Sequence, residues 1–111
     1  MNDRMAAAKS RLSELAAKFL DRTDGDIVTM RAGLERLGGG DTRPISEIRH
    51  LAHRMVGTGA TLGFESLSEG ARSIEVLTEG CPPGQMPDEQ FRAQLAAALD
   101  ALAGELQRLR S

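Results

Sequence analysis

Hydrophobic residues recur at intervals of three or four along the whole chain, which is the spacing of amphipathic helices. Three clusters of helix-breaking residues interrupt the pattern: DRTDG at 21–25, GGGD at 38–41 and GCPPGQMP at 80–87. Gly63 offers a further break, and no segment alternates with the period of two that marks a strand. The pattern therefore predicts helical segments joined by short connections.

Capping signals set the approximate bounds of five predicted helices. Thr23 and Asp26 have capping-box spacing, Gly38 is a natural C′ residue, and Pro44 and Pro87 suit first turns. The predicted segments run from about 2 to 20, from about 23 to 37, from 44 to 62, from the break at Gly63 to about 77, and from 87 to about 109. We expect an all-α fold, an antiparallel up-down four-helix bundle with an additional N-terminal helix, forming a single domain over residues 1–111.

Composition narrows the range of partners. The formal net charge is −2, basic residues are spread along the chain, and Trp and Tyr are absent, so nucleic acid is not an expected partner. Cys81 is the single cysteine and fits a reducing compartment. The N-terminal residues form neither a signal h-region nor a membrane span. We expect a cytoplasmic monomer without a membrane partner.

The third predicted helix carries both histidines of the chain, His50 and His53. Helical geometry places His53 roughly 130° from the mean apolar direction and His50 nearly opposite that direction. Gly57 and Ala60 follow on the same outer face. A glycine within a helix costs about 1 kcal/mol relative to alanine, and packing does not explain one that points outward. We infer that these small residues give a bulky partner access to the imidazole.

An accessible neutral imidazole can act as a nucleophile, a metal ligand or a general base. A metal site is not expected, because two histidines fall short of the three or four protein ligands that zinc sites use. The chain also lacks a glycine-rich phosphate loop, a G-x-S-x-G motif and paired carboxylates, so no nucleotide-dependent catalytic site of its own is predicted. Arg49 and Arg54 flank His53 and are candidates for holding an anionic group such as a phosphoryl.

The stretch AHRMVGTGATLGFESLSEGARSIE at 52–75 resembles the histidine-containing phosphotransfer (HPt) domain family. It supplies the histidine, the two glycines, the leucine and the small residue of the family pattern, at His53, Gly57, Gly63, Leu67 and Ala71. Ala52, Ile74 and Glu75 also stand in corresponding places. The resemblance implies that His53 is the phosphorylated residue and that Gly57 leaves room for a response-regulator receiver domain. It further implies that the receiver supplies the aspartate and Mg²⁺, and that a hybrid or sensor histidine kinase is also a partner.

One position departs from the family pattern. Val56 stands where the family usually has a lysine that lies near the phosphoryl group. Arg49 is the first candidate to replace that charge and His50 the second. The predicted site therefore comprises His53 as phosphoryl acceptor with Arg49, His50, Arg54, Val56, Gly57 and Ala60 around it. The alternatives are a helical adaptor that docks a receiver or kinase without transferring phosphate, and a plain structural bundle.

Overall fold

The computed structural model describes residues 2–82 and 84–111, so that Pro83 of the predicted 80–87 connection lies outside the described residues. This part of the chain contains four α-helices and no strand. The helices are α1 (Asn2–Gly38), α2 (Pro44–Leu62), α3 (Glu65–Glu79) and α4 (Glu89–Arg110). Each helix packs against the next, and α4 returns to α1. The predicted all-helical bundle is confirmed.

Side-chain pairs between the helices show that neighbours run antiparallel. Arg31 of α1 lies 2.7 Å from Asp100 of α4, whereas Asp21, earlier in α1, lies 2.8 Å from Arg110, later in α4. Helices α2 and α3 are also antiparallel. Ser68, early in α3, donates to the carbonyl of Val56, whereas Glu75, later in α3, contacts His53, which lies earlier in α2. A shared core of leucine, isoleucine and methionine side chains fills the interior.

The prediction of an additional N-terminal helix is wrong, because α1 runs without a break through the DRTDG cluster. The cluster contains no proline, and the cost of about 1 kcal/mol for Gly25 is small beside the burial around it. Phe19, Thr23 and Ile27 are all buried on one face of α1, which keeps the helix continuous. The Thr23 capping box is also wrong, since Asp26 instead pairs with Arg54 of α2 at 3.4 Å.

The first turns of α1 lie outside the bundle. A helix of 37 residues is about 56 Å long, which accounts for the molecule's longest dimension of 57 Å. Every residue from 3 to 15 is exposed. The predicted apolar stripe is present, but Met5, Leu12 and Leu15 are 60%, 58% and 52% exposed. We call residues 3–15 the exposed segment and residues 19–37 the packed segment of α1.

The turn between α2 and α3 brings these two helices side by side. Gly63 adopts a left-handed conformation with φ of 84°, which side chains other than glycine's rarely allow. The Phe64 amide then donates to the Gly59 carbonyl at 2.8 Å, closing α2 as in a Schellman motif. Gly59 itself is buried, and a Cβ there would lie 3.4 Å from the Phe19 ring, so its small size permits close packing.

The other two connections are fixed by carboxylates. Asp41 accepts hydrogen bonds from the Arg43 backbone and guanidinium, both at 3.0 Å, and these hold the pKa of Asp41 well below its usual range. Asp88 caps α4 by accepting from the Phe91 amide at 2.8 Å, so α4 begins two residues after the predicted start at Pro87. Among the described helices, none is long and apolar enough to cross a membrane.

Candidate functional site

His53 lies on the outer face of α2, as helical geometry predicts. Its neighbours Ala52 and Met55 are buried in the core, and Ile48 is buried one turn earlier. The His53 side chain itself is 76% exposed. An imidazole this exposed can be reached from solvent by a partner protein.

A carboxylate from the neighbouring helix contacts this exposed ring. Glu75 of α3 forms a hydrogen bond through its Oε2 with Nδ1 of His53, although its own side chain is only 10% exposed. Glu75 follows the fully buried Ile74 on α3. The tight turn at Gly63 folds α3 against α2 and so delivers the carboxylate to the histidine. The spacing of residues within α2 does not reveal this carboxylate, because Glu75 belongs to α3.

This contact distinguishes the two ring nitrogens of His53. A carboxylate accepts hydrogen bonds, so in a neutral imidazole the nitrogen that donates to Glu75 is Nδ1, and this tautomer leaves the lone pair on Nε2. The lone pair lies on the edge of the ring away from the buried Glu75. The arrangement is that of a nucleophile whose tautomer and orientation are set by a buried partner.

A groove of about 730 Å³ lies beside His53, between α1 and α2. Its lining combines apolar side chains with three basic ones, Lys18, Arg22 and Arg54. The residues that line it are Leu15, Lys18, Phe19, Arg22, His53, Arg54, Gly57, Thr58, Thr61 and Leu62. No aspartate or glutamate belongs to this lining, although Glu75 contacts the His53 ring from α3 and Asp26 pairs with Arg54.

Two of the predicted neighbours of His53 share this groove. Arg54 lines it while pairing with Asp26 of α1. Gly57 lines it as well, and a Cβ at this position would have no heavy atom within 4 Å. Packing within the chain therefore does not require glycine at position 57, which leaves the space in front of it open.

The other predicted neighbours lie elsewhere. Arg49 is half-buried and lines a separate groove with Cys81, where burial raises the pKa of the cysteine thiol. His50 and Ala60 are exposed but do not belong to the lining of the His53 groove. Val56 is half-buried and packs against the core. The first candidate for replacing the family's lysine is thus not brought into the groove that adjoins His53.

Three residues of this site escaped sequence analysis: Glu75 as the partner of Nδ1, and Lys18 and Arg22 in the groove. Glu75 belongs to the quoted motif, but its contact with His53 depends on how α3 packs. Lys18 and Arg22 are spaced by four residues and so share a face of α1. The sequence therefore predicts that the two residues share a face. It does not predict that this face lies against α2, because that position depends on the unbroken course of α1. No group of three or more potential metal ligands occurs in the described parts of the chain.

Comparison with known protein families identifies the family to which the chain belongs. The family model for the Hpt domain matches residues 14–111, which include all of α2, α3 and α4. Searches of curated proteins and of solved structures found no significant match. The resemblance seen in the motif around His53 is therefore confirmed over nearly the whole chain. The protein belongs to the Hpt domain family and so to the proteins of two-component phosphorelays.

Proposed function

We propose that this protein carries a phosphoryl group on Nε2 of His53, exchanging it with an aspartate of a response-regulator receiver domain. The observation that carries the proposal is the exposed imidazole whose Nδ1 is held by the buried Glu75. The contact leaves a single nitrogen with a lone pair, and the open groove and Gly57 let a folded partner approach it.

The transfer step follows from this arrangement. The Nε2 lone pair attacks the phosphorus of the partner's aspartyl phosphate, a P–N bond forms, and the P–O bond to the aspartate breaks. The aspartate leaves as a carboxylate, and Nδ1 keeps its proton. The phosphorylated ring thereby gains positive charge, which the Glu75 carboxylate balances. Transfer in the other direction reverses the same bonds.

The partner completes the site. As the family resemblance implies, the receiver domain contributes the aspartate and Mg²⁺, and a hybrid or sensor histidine kinase is the second partner of the relay. This chain contributes the nucleophile and the surface around it. We propose that it does so in the cytoplasm and as a monomer.

Incubation with a phosphorylated receiver domain and Mg²⁺ tests the proposal. The chain should acquire a label that is acid-labile and alkali-stable, and His53→Gln should abolish it. Because this substitution also removes the imidazole that bonds to the buried Glu75 carboxylate, we expect the free energy of unfolding to fall by about 1–2 kcal/mol, with the protein still folded. His50→Gln is the matched control, since it removes the other imidazole from the same exposed face of α2 and should leave transfer largely intact. A label that survives in His53→Gln, or that depends on His50, contradicts the assignment.

Glu75→Gln tests the role of the buried carboxylate. The amide keeps the shape of the side chain but removes the charge that orients and balances the ring. We expect the transfer rate to fall by roughly one to two orders of magnitude while the protein stays folded. A receiver that binds the unaltered protein without labelling it would instead support the adaptor function.

A further inference from the structure

The groove beside His53 holds more positive charge than α2 alone supplies. Lys18 and Arg22 of α1 line it together with Arg54 of α2, and the lining contains no carboxylate. Lys18 and Arg22 lie four residues apart on one face of the helix, a spacing at which like charges repel. An anion bound in the groove would relieve this repulsion.

These two charges are available to a ligand. Among the ion pairs formed by residues 2–82 and 84–111, none involves Lys18 or Arg22, and both side chains are exposed. Arg54 differs, because Asp26 already holds its guanidinium at 3.4 Å. The two cations from α1 are therefore the free positive charges of the groove.

His53 contacts a carboxylate on one side and belongs to the groove on the other. Glu75 reaches Nδ1 from α3, whereas the groove lies between α2 and α1 and His53 is part of its lining. A phosphoryl group on Nε2 is therefore carried by a residue of the same groove that Lys18 and Arg22 line.

Neither Val56 nor Arg49 of α2 supplies the positive charge of the family's lysine beside His53. Val56 is half-buried against the core, so the position that holds a lysine in the family carries no charge here. Arg49 lines a different groove, next to Cys81. We propose that Lys18 and Arg22 of α1 bind the phosphoryl group on His53 and replace the missing lysine. This inference rests on the proposed function, since it concerns the group that His53 carries.

A double variant with a charge-matched control tests the inference. Lys18→Gln/Arg22→Gln removes both groove cations, and Lys9→Gln/Arg11→Gln removes the same charge from the exposed segment of α1, outside the groove. Each protein is phosphorylated chemically with phosphoramidate, and the ³¹P resonance of phosphorylated His53 is followed against pH. Nearby cations favour the dianionic phosphoryl, so the groove variant should titrate about one pH unit higher than the unaltered protein. The control should titrate with the unaltered protein.

Transfer kinetics provide a second readout. With a receiver domain and Mg²⁺, the groove variant should exchange phosphate roughly tenfold more slowly than the control, because two charge-assisted contacts are lost. Equal titration midpoints in the two double variants overturn the inference, even if their rates of phosphoryl exchange differ. Slower exchange without a shift in the midpoint would reflect weaker docking of the receiver. The single variants Lys18→Gln and Arg22→Gln should each give part of the shift, and they serve if the double variant unfolds.

The outcome separates this inference from the proposed function. A protein that a phosphorylated receiver does not label on His53 overturns the proposed function, even where phosphoramidate labels that histidine chemically. A protein that is labelled on His53 but titrates identically in both double variants keeps the proposed function and loses only the role of Lys18 and Arg22.

Discussion

The two ends of α1 share a hydrophobic period but differ in their surroundings. The exposed segment places Met5, Ala8, Leu12 and Leu15 at alternating spacings of three and four, as a heptad pattern would. The packed segment repeats nearly the same spacing and buries its stripe against α2 and α4. A hydrophobic period therefore predicts that a helix has an apolar face, but it does not predict that the chain itself covers that face.

Charge distinguishes the two segments as well. Arg4, Lys9 and Arg11 flank the exposed stripe, whereas Asp3 and Glu14 lie on other faces of the helix. Several charged residues of the packed segment instead pair with the rest of the bundle, for example Arg31 with Asp100 of α4. A stripe bordered by like charges is poorly suited to pairing with a second copy of itself, because the flanking cations would face one another.

The largest expected difference between the segments comes from one substitution made in both. Met30 is fully buried and Met5 is 60% exposed. Met30→Ala should lower the free energy of unfolding by about 3 kcal/mol, through lost burial and the cavity left behind. Met5→Ala should change it by less than about 0.5 kcal/mol. Urea denaturation of both variants measures the difference. Equal losses would show that the exposed segment is buried in solution.

Substitution of two glycines in α1 should change the free energy of unfolding by smaller amounts and in opposite directions. A Cβ at Gly33 would lie 3.2 Å from Cβ of Pro44 and 3.3 Å from Cδ1 of Ile48, both buried at the start of α2. A Cβ at Gly25 would meet nothing within 4 Å. Gly33→Ala should therefore destabilise the protein by about 1–2 kcal/mol through overpacking. Gly25→Ala should stabilise it by about 1 kcal/mol through helix propensity.

The same denaturation measurements decide this pair. Stabilisation by both substitutions would mean that α2 can move away from Gly33 at little cost. Destabilisation by Gly25→Ala would mean that α1 bends or breaks at the DRTDG cluster, as the sequence pattern predicted. The contrast thus tests the course of α1 independently of its burial.

The core-facing residues of α2 and α4 were predictable because burial follows helical period there. Ile48, Ala52 and Met55 on α2 and Leu95 and Leu99 on α4 are buried as expected. The unbroken course of α1 was not predictable, because local signals such as Thr23 and Gly25 produce a turn only when tertiary contacts do not oppose it. Here Phe19 and Ile27 on either side are held in the core, and packing outweighs the local preference.

The features of the candidate site also fall into those that position along one helix predicts and those that tertiary packing determines. The exposure of His53 and the open space at Gly57 follow from the position of each residue around α2. The contact with Glu75 and the approach of Lys18 and Arg22 depend on which helices flank α2. Those contacts join residues far apart in sequence, so no spacing within one helix predicts them.

The smallest expected effect is that of removing the exposed segment. The Hpt domain match begins at residue 14, and every residue from 3 to 15 is exposed, so deletion of residues 1–13 removes few contacts of the bundle. The shortened helix would begin near Glu14, whose charge suits a helix N-terminus. We expect the free energy of unfolding to change by less than about 0.5 kcal/mol, and to be independent of protein concentration before and after deletion. A full-length protein that is more stable at higher concentration, with the gain lost on deletion, would show that a second copy covers the stripe despite its basic flanks.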